Sequence, residues 1–96
     1  MKVYGFGSAF SNRKSASDVD ILILHANSSI ESCRSAIRLK KKLCEMMEEL
    51  HLTMLSECEA RHFRFLETSG AKLIAEVDHF FGDAECDEII SRLRSL

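Results

Sequence analysis

The chain has 96 residues, of which 46% are hydrophobic and 29% are charged, and its formal net charge is −2. These proportions exclude a disordered chain and predict one globular domain spanning residues 1–96. The slight negative excess argues against non-specific nucleic-acid binding, so nucleic acid is expected only as an acceptor substrate. No apolar run is longer than Ile21–Leu24, which predicts no membrane span, no signal peptide and a cytoplasmic location.

The first two predicted strands flank a polar segment. Lys2–Phe6 has the β-forming residues of a short strand, which Gly7-Ser8 ends, and residues 9–17 form a polar turn segment. A second strand is predicted from Asp18 to about His25. Its alternating residues are apolar on both faces, which is typical of a central strand covered on both sides.

A long helix follows the second strand. The sequence Ser28-Ser29-Ile30-Glu31 predicts a capping box at its start, and the helix is expected to run to about Leu50. The Lys40–Lys42 run is interpreted as a solvated helix face. The spacing predicts one apolar stripe, composed of Ile30, Cys33, Ile37, Cys44 and Met47 and widened by Ala36, Leu43 and Leu50.

The remaining elements alternate strand and helix. They are a strand over Leu50–Leu55, a helix that begins with the capping box Ser56-Glu57-Cys58-Glu59 and ends near Ser69 and Gly70, a strand over Ala71–Val77, and a last helix from about Asp83. The order β-β-α-β-α-β-α predicts an α/β (α+β) fold, a small mixed β-sheet with helices packed on it.

The cysteines and histidines give no metal or disulfide pattern. The four cysteines, Cys33, Cys44, Cys58 and Cys86, are widely spaced, so they are predicted to be free and mostly buried in a reducing compartment. The histidines His25, His62 and His79 share no metal-binding spacing and are interpreted as ordinary residues. Phe80 and Phe81 are expected in the core or at an interface.

Two carboxylates begin the second strand. Asp18 and Asp20 are two residues apart, so the period of a strand places both on one face. Carboxylates aimed at one point repel each other unless a cation lies between them. Mg²⁺ binds carboxylate oxygens and keeps positions for phosphate oxygens. The pair is therefore a candidate metal site.

Upstream of the acid pair lies a candidate phosphate-binding turn. Gly7 lets the backbone approach a phosphate, and Ser8 adds a hydroxyl and an N–H. Arg13 and Lys14 are candidates for offsetting the charge of a triphosphate. A phosphate-binding turn and a metal-binding acid pair on adjacent strands are together suited to nucleotidyl transfer.

The order of strand, Gly7-Ser8, spacer, Asp18-Val19-Asp20 and apolar strand resembles the minimal nucleotidyltransferase domains of the polymerase-β-like superfamily. The resemblance extends through about residue 77. It implies transfer of AMP from ATP to a hydroxyl of a partner protein or RNA, with two Mg²⁺ ions. Carried over to this chain, Gly7 and Ser8 hold the triphosphate, and Asp18 and Asp20 are the catalytic metal ligands.

The chain departs from that pattern at the third carboxylate. Catalytic members add an acid on the next core strand, where this sequence has His51 and Thr53. Glu57, just past that strand, and Glu76, on the following one, remain as candidates. The alternative is a non-catalytic module that regulates a partner by docking. By resemblance, the partner is a HEPN-type toxin to which this chain is the antitoxin; the acceptor and any homo-oligomer stay open.

Overall fold

The computed structural model describes residues 1–6, 19–27 and 29–94 and contains a four-stranded mixed sheet. The strands are β1 (Lys2–Phe6), β2 (Val19–His25), β3 (Leu50–Ser56) and β4 (Lys72–Glu76). Their spatial order is β3-β2-β1-β4, with β1 antiparallel to both neighbours and β2 parallel to β3. The predicted fold class, a small mixed sheet with helices on it, is confirmed.

Helices cover both faces of this sheet. Those in the described ranges are α1 (Ile30–Met46), α2 (Glu57–Phe63), α3 (Phe65–Ser69) and α4 (Asp83–Arg94). On one face α1 lies over β2 and β3, and α4 lies beside α1 and contacts β4. On the other face α2 packs on β3 and β2. The connection from β2 through α1 to β3 is the helical crossover that parallel strands need.

The central position predicted for β2 is confirmed. Ile21 and Ile23 are fully buried in the core beneath α1 and α4, together with Val3 of β1. Leu22 and Leu24 alternate with them, are also buried, and lie on the face of α2, where Ala60 is buried. Strand β2 is thus covered on both sides, as its run of apolar residues indicates.

The predicted apolar stripe of α1 is correct only in part: Ala36, Leu43, Met47 and Leu50 are buried, but Ile30 and Ile37 are not. The buried side chains of the helix are Ser32, Ala36, Leu39 and Leu43, whereas Ile30 and Ile37 are exposed. The start also differs, because Ser29 is the N-cap and its hydroxyl accepts from the Ser32 N–H. The helix ends at Met46 instead of about Leu50, since Met47 is already extended.

The helix predicted after β3 is two helices. The capping box between Ser56 and Glu59 is confirmed: Ser56 N–H donates to Glu59 Oε1 at 3.0 Å, and Glu59 N–H donates to Ser56 Oγ at 3.1 Å. Arg64 then adopts a left-handed conformation with φ of 50° and separates α2 from α3. Gly70, with φ of 66°, ends α3 as predicted.

The segment before α4 is held by Arg38. Its guanidinium lies 3.9 Å from the ring centre of Phe81 and donates to the carbonyls of Phe81 and His79. Phe81 is buried, and its neighbour Phe80 is 93% exposed. The two adjacent phenylalanines therefore divide between core and surface.

The four cysteines are free, as predicted, but they are not mostly buried. Cys86 is buried, Cys33 and Cys44 are half-buried, and Cys58 is exposed. Burial raises the pKa of the Cys86 thiol, which makes it a poor nucleophile. In the described part of the chain, no helix combines the length and apolar character needed to cross a membrane.

Candidate functional site

The candidate site lies at the end of the β1–β2 ladder, where β1 stops beside a carboxylate of β2. Phe6, the last residue of β1, pairs with Asp20, the second residue of β2. Directly paired residues share a face of the sheet, so Asp20 and Phe6 lie on the face of α2 and α3. There the Phe6 ring meets Phe65 of α3 edge-on, at 5.2 Å between ring centres. The carboxylate thus lies at a rim of the sheet, where its side chain is 31% exposed.

The neighbour of Asp20 on the other side is a histidine. Strand β3 runs parallel to β2 in the register that pairs Asp20 with His51. His51 Nδ1 lies 3.8 Å from Asp20 Oδ1, and the imidazole is 64% exposed. A half-exposed carboxylate beside an imidazole can bind a divalent cation, or it can orient the ring through a charged contact.

Five of the predicted site residues lie outside the described ranges, and the structure therefore tests none of them. They are Gly7, Ser8, Arg13, Lys14 and Asp18. Only Asp20 of the predicted set is described. The covalent order nevertheless joins Gly7 to Phe6 and Asp18 to Val19, at the described end of the ladder.

Glu57 and Glu76 do not lie near Asp20. Glu57 follows Ser56, which is five residues beyond His51 on β3, or about 17 Å along the strand at 3.3 Å per residue. Glu76 pairs with Lys2, at the opposite end of β1 from Phe6. Both glutamates line a cleft at that opposite end, together with Asp78 and His79. The register therefore places both candidates for the third carboxylate at the opposite rim of the sheet from Asp20.

A different glutamate, Glu49, lies at the same rim of the sheet as Asp20. The carbonyl of Glu49 accepts a hydrogen bond of 3.0 Å from the N–H of Val19, the residue before Asp20. Glu49 is exposed in the turn that leads into β3, two residues before His51. The sequence analysis missed it because only residues inside and after the strand were considered. The signal was the parallel β2–α1–β3 crossover, which brings the starts of β2 and β3 to one rim.

The other three histidines contact nearby side chains or backbone carbonyls. His25 is buried, and its Nδ1 lies 2.9 Å from both the Ser32 hydroxyl and the Asn27 carbonyl. His79 Nδ1 lies 3.1 Å from the Ser35 hydroxyl. His62 is exposed on α2, edge-on to Phe63. Across residues 1–6, 19–27 and 29–94, no three His, Cys, Asp or Glu side chains form a group that could hold a metal.

Comparison of the chain with protein-family models, with curated proteins and with solved structures gives no match. The resemblance to nucleotidyltransferases therefore stays a prediction from the residues of the first two strands.

Proposed function

We propose that this protein is a metal-dependent nucleotidyltransferase that binds Mg²⁺ and ATP and transfers AMP to a hydroxyl of a partner protein or RNA. The observation that supports this most is the pairing of Phe6 with Asp20 at the end of the β1–β2 ladder. Strand β1 therefore ends beside the carboxylate of Asp20, and Gly7-Ser8 follow Phe6 in the sequence. A phosphate-binding turn and a metal ligand need this proximity to act on one triphosphate.

The described donor set fits Mg²⁺ in part. Asp20 offers a half-exposed carboxylate at the rim, and Asp18 is the proposed second ligand. Mg²⁺ keeps several waters and is commonly held by one or two carboxylates plus substrate phosphates. The described part of the site is therefore compatible with a metal that arrives with its nucleotide, and not with a metal cage preformed by these residues.

The chain's own residues have distinct proposed roles. When bound, the magnesium nucleotide supplies an α-phosphate activated for attack, with pyrophosphate as leaving group. Asp18 and Asp20 fix its position, while the Ser8 hydroxyl and the backbone at Gly7 hold phosphate oxygens. In the same proposal, Arg13 and Lys14 offset the triphosphate charge.

A second candidate function is a regulator that binds a nucleotide and docks on a partner without transferring AMP. The residue paired with Asp20 on β3 favours it, because His51 stands there and imidazole is a poor ligand for Mg²⁺. In both functions the partner proposed from the resemblance is a HEPN-type toxin.

Calorimetric titration with ATP in the presence of Mg²⁺ tests the shared nucleotide site. We expect binding by the wild-type chain and a loss of affinity of about tenfold or more in Asp20→Asn, since even indirect support of a metal ligand is worth that much. Asp87→Asn, a matched change at an exposed position of α4, should bind normally. Absence of binding, or equal loss in both variants, contradicts the proposal.

Labelling separates the two functions. ATP labelled at the α-phosphate is incubated with Mg²⁺ and with the proteins and RNA that copurify with the chain. Catalysis predicts label on one of them with wild type and none with Asp20→Asn. Docking predicts that the partner is retained equally by both and carries no label.

A further inference from the structure

Among the described residues, strand β3 has an open edge with a defined set of backbone hydrogen-bonding groups. It is the outermost strand of the sheet, and the Val19 N–H donates to the Glu49 carbonyl. In a parallel ladder the N–H and C=O of one residue point to the same side, and successive residues alternate. Glu49 and every second residue after it therefore bond to β2. The backbone groups of Leu50, Leu52 and Met54 point away from the sheet.

The outward groups end where α2 begins. The outward N–H of Ser56 is already bonded to the Glu59 carboxylate in the capping box. Within the described ranges, no hydrogen bond reaches the outward N–H or C=O groups of Leu50, Leu52 or Met54. The edge thus offers three donors and three acceptors in strict alternation.

The opposite edge of the sheet is protected in ways that β3 is not. Strand β4 has a charged residue at each end, Lys72 and Glu76, and its pairing with β1 shifts register at Val3 and Tyr4. The Arg92 guanidinium also donates to the Ile74 carbonyl. Charges, bulges and covering side chains are the usual means of blocking edge-to-edge pairing. β3 has no proline, no Lys, Arg, Asp or Glu, and an unbroken register with β2.

The side chains beside this edge are apolar. Leu50, Leu52 and Met54 lie on the α1 face, with Leu50 buried and the other two half-buried against the core. Helix α4 contacts the flank of α1 that carries Lys42. The flank on the other side, toward β3, carries Ile37, which is 53% exposed, and the half-buried Cys33 and Cys44.

We propose that this edge pairs with the same edge of a second copy of the chain, in an antiparallel dimer whose twofold axis passes beside Leu52. Leu52 then lies opposite Leu52 of the second copy, and Leu50 of each copy lies opposite Met54 of the other copy. Each of these three pairs exchanges two hydrogen bonds, so every outward group is bonded and none is left over. The two sheets become one sheet of eight strands.

The proposed partner is a second copy of the chain, because the side chains and backbone groups of this edge are complementary to those of the same edge in another copy. A twofold interface requires each contact to occur twice with the residues exchanged, and the pairs Leu52–Leu52 and Leu50–Met54 meet this requirement with apolar side chains only. On the other face, His51 lies opposite Thr53, so no like charges oppose each other. The flank of α1 with Ile37, Cys33 and Cys44, which also includes the half-buried Lys40, borders the same surface in each copy.

Charge variants at the twofold axis test both the interface and its register. We expect the wild-type chain to have the molar mass of a dimer in light scattering coupled to size exclusion. Leu52→Lys and Leu52→Glu should each halve that mass, because two like charges then face each other across the axis. An equimolar mixture of the two variants should recover the dimer mass. Leu73→Lys, at an exposed position of the β4 edge, is the matched control and should remain dimeric.

Several results would overturn the proposal. One is a wild-type chain that stays monomeric at all concentrations up to about 1 mM, which corresponds to a weak Kd. Another is a dimer mass that neither Leu52→Lys nor Leu52→Glu lowers. The third is an equimolar mixture of the two variants that stays monomeric. Far-UV circular dichroism checks that each variant is folded. If a charged variant is unfolded, Leu52→Pro replaces it, because it removes an outward N–H without adding a charge, at an edge position that tolerates proline. A Leu52→Pro chain that still has the full dimer mass contradicts the pairing.

Discussion

At the residue scale, the register that places His51 beside Asp20 determines which other side chains can lie near Asp20. Strands β2 and β3 are parallel and in register from Val19–Leu50 to His25–Ser56. Glu57, which directly follows β3, is therefore separated from Asp20 by the length of the strand. An acid that precedes β3 is not, and Glu49 is bonded through its carbonyl to the residue beside Asp20.

If the protein is catalytic, Glu49 is a candidate to assist Asp18 and Asp20, because its backbone is bonded to Val19. We expect Glu49→Gln to slow AMP transfer by about 100-fold, the lower range for loss of a general base, while ATP affinity changes little. Glu57→Gln is the matched control at the far rim and should transfer at the wild-type rate. A slow Glu57→Gln enzyme beside a normal Glu49→Gln enzyme contradicts this assignment.

The acid spacing could be predicted from sequence, but the identity of its neighbours could not. Asp18 and Asp20 are two residues apart, which fixes their relative placement in any strand. Which residue of β3 lies opposite Asp20 depends on the register of two segments separated by a 17-residue helix, and local sequence contains no information on that offset. Glu57 was therefore a reasonable candidate until the register excluded it.

At the element scale, α1 shows why a stripe of apolar residues does not by itself determine the buried face. Two stripes overlap on this helix, one through Ile30 and Ile37 and one through Ser32 and Ala36. The second is buried, because small side chains let the helix approach the sheet and the Ser32 hydroxyl lies 2.9 Å from the buried His25 ring. The outer stripe is left at the surface.

Strand bounds were predicted more reliably, because β2 is apolar on both faces and the capping box at Ser56 marks the end of β3. The break at Arg64 was not predicted. An arginine carries no local signal for a left-handed conformation, which Gly and Asn usually supply.

The capping box of α2 should make the stability of the fold depend on pH in the acid range. Hydrogen bonds from Ser56, first from its backbone N–H and then from its side chain, hold the pKa of Glu59 below its ordinary value. A carboxylate with a lowered pKa in the folded state stabilises the fold above its ordinary pKa, and this contribution is lost as the pH falls through the lowered value.

We therefore expect the difference in Tm between wild type and Glu59→Gln to be present at about pH 7 and to disappear in acid, once the carboxyl group is protonated in the folded state as well. Thermal unfolding followed by circular dichroism across this range measures it, with Glu57→Gln as a control that leaves the cap intact. A Tm difference that does not change with pH shows that the charge of Glu59 has no part in the cap.

At the scale of the whole molecule, the sheet has two chemically different rims. One carries Asp20, His51 and Glu49 at the starts of β2 and β3. The other carries Glu57 and Glu76 at the opposite end of the strands, with Asp78 and His79 beside them. Both rims carry carboxylates, and the proposed function requires the nucleotide and its metal at the first rim.

Paramagnetic broadening of backbone amide signals by Mn²⁺ in the presence of ATP distinguishes the two rims directly. Mn²⁺ accepts the oxygen ligands of Mg²⁺, and its effect on amide signals falls steeply with distance. We predict that the amides of Phe6, Asp20 and His51 broaden at Mn²⁺ concentrations that leave those of Glu57 and Glu76 sharp, and that Asp20→Asn abolishes the difference. Broadening that begins at Glu57 and Glu76, or that is uniform along the sheet, would contradict the placement of the site.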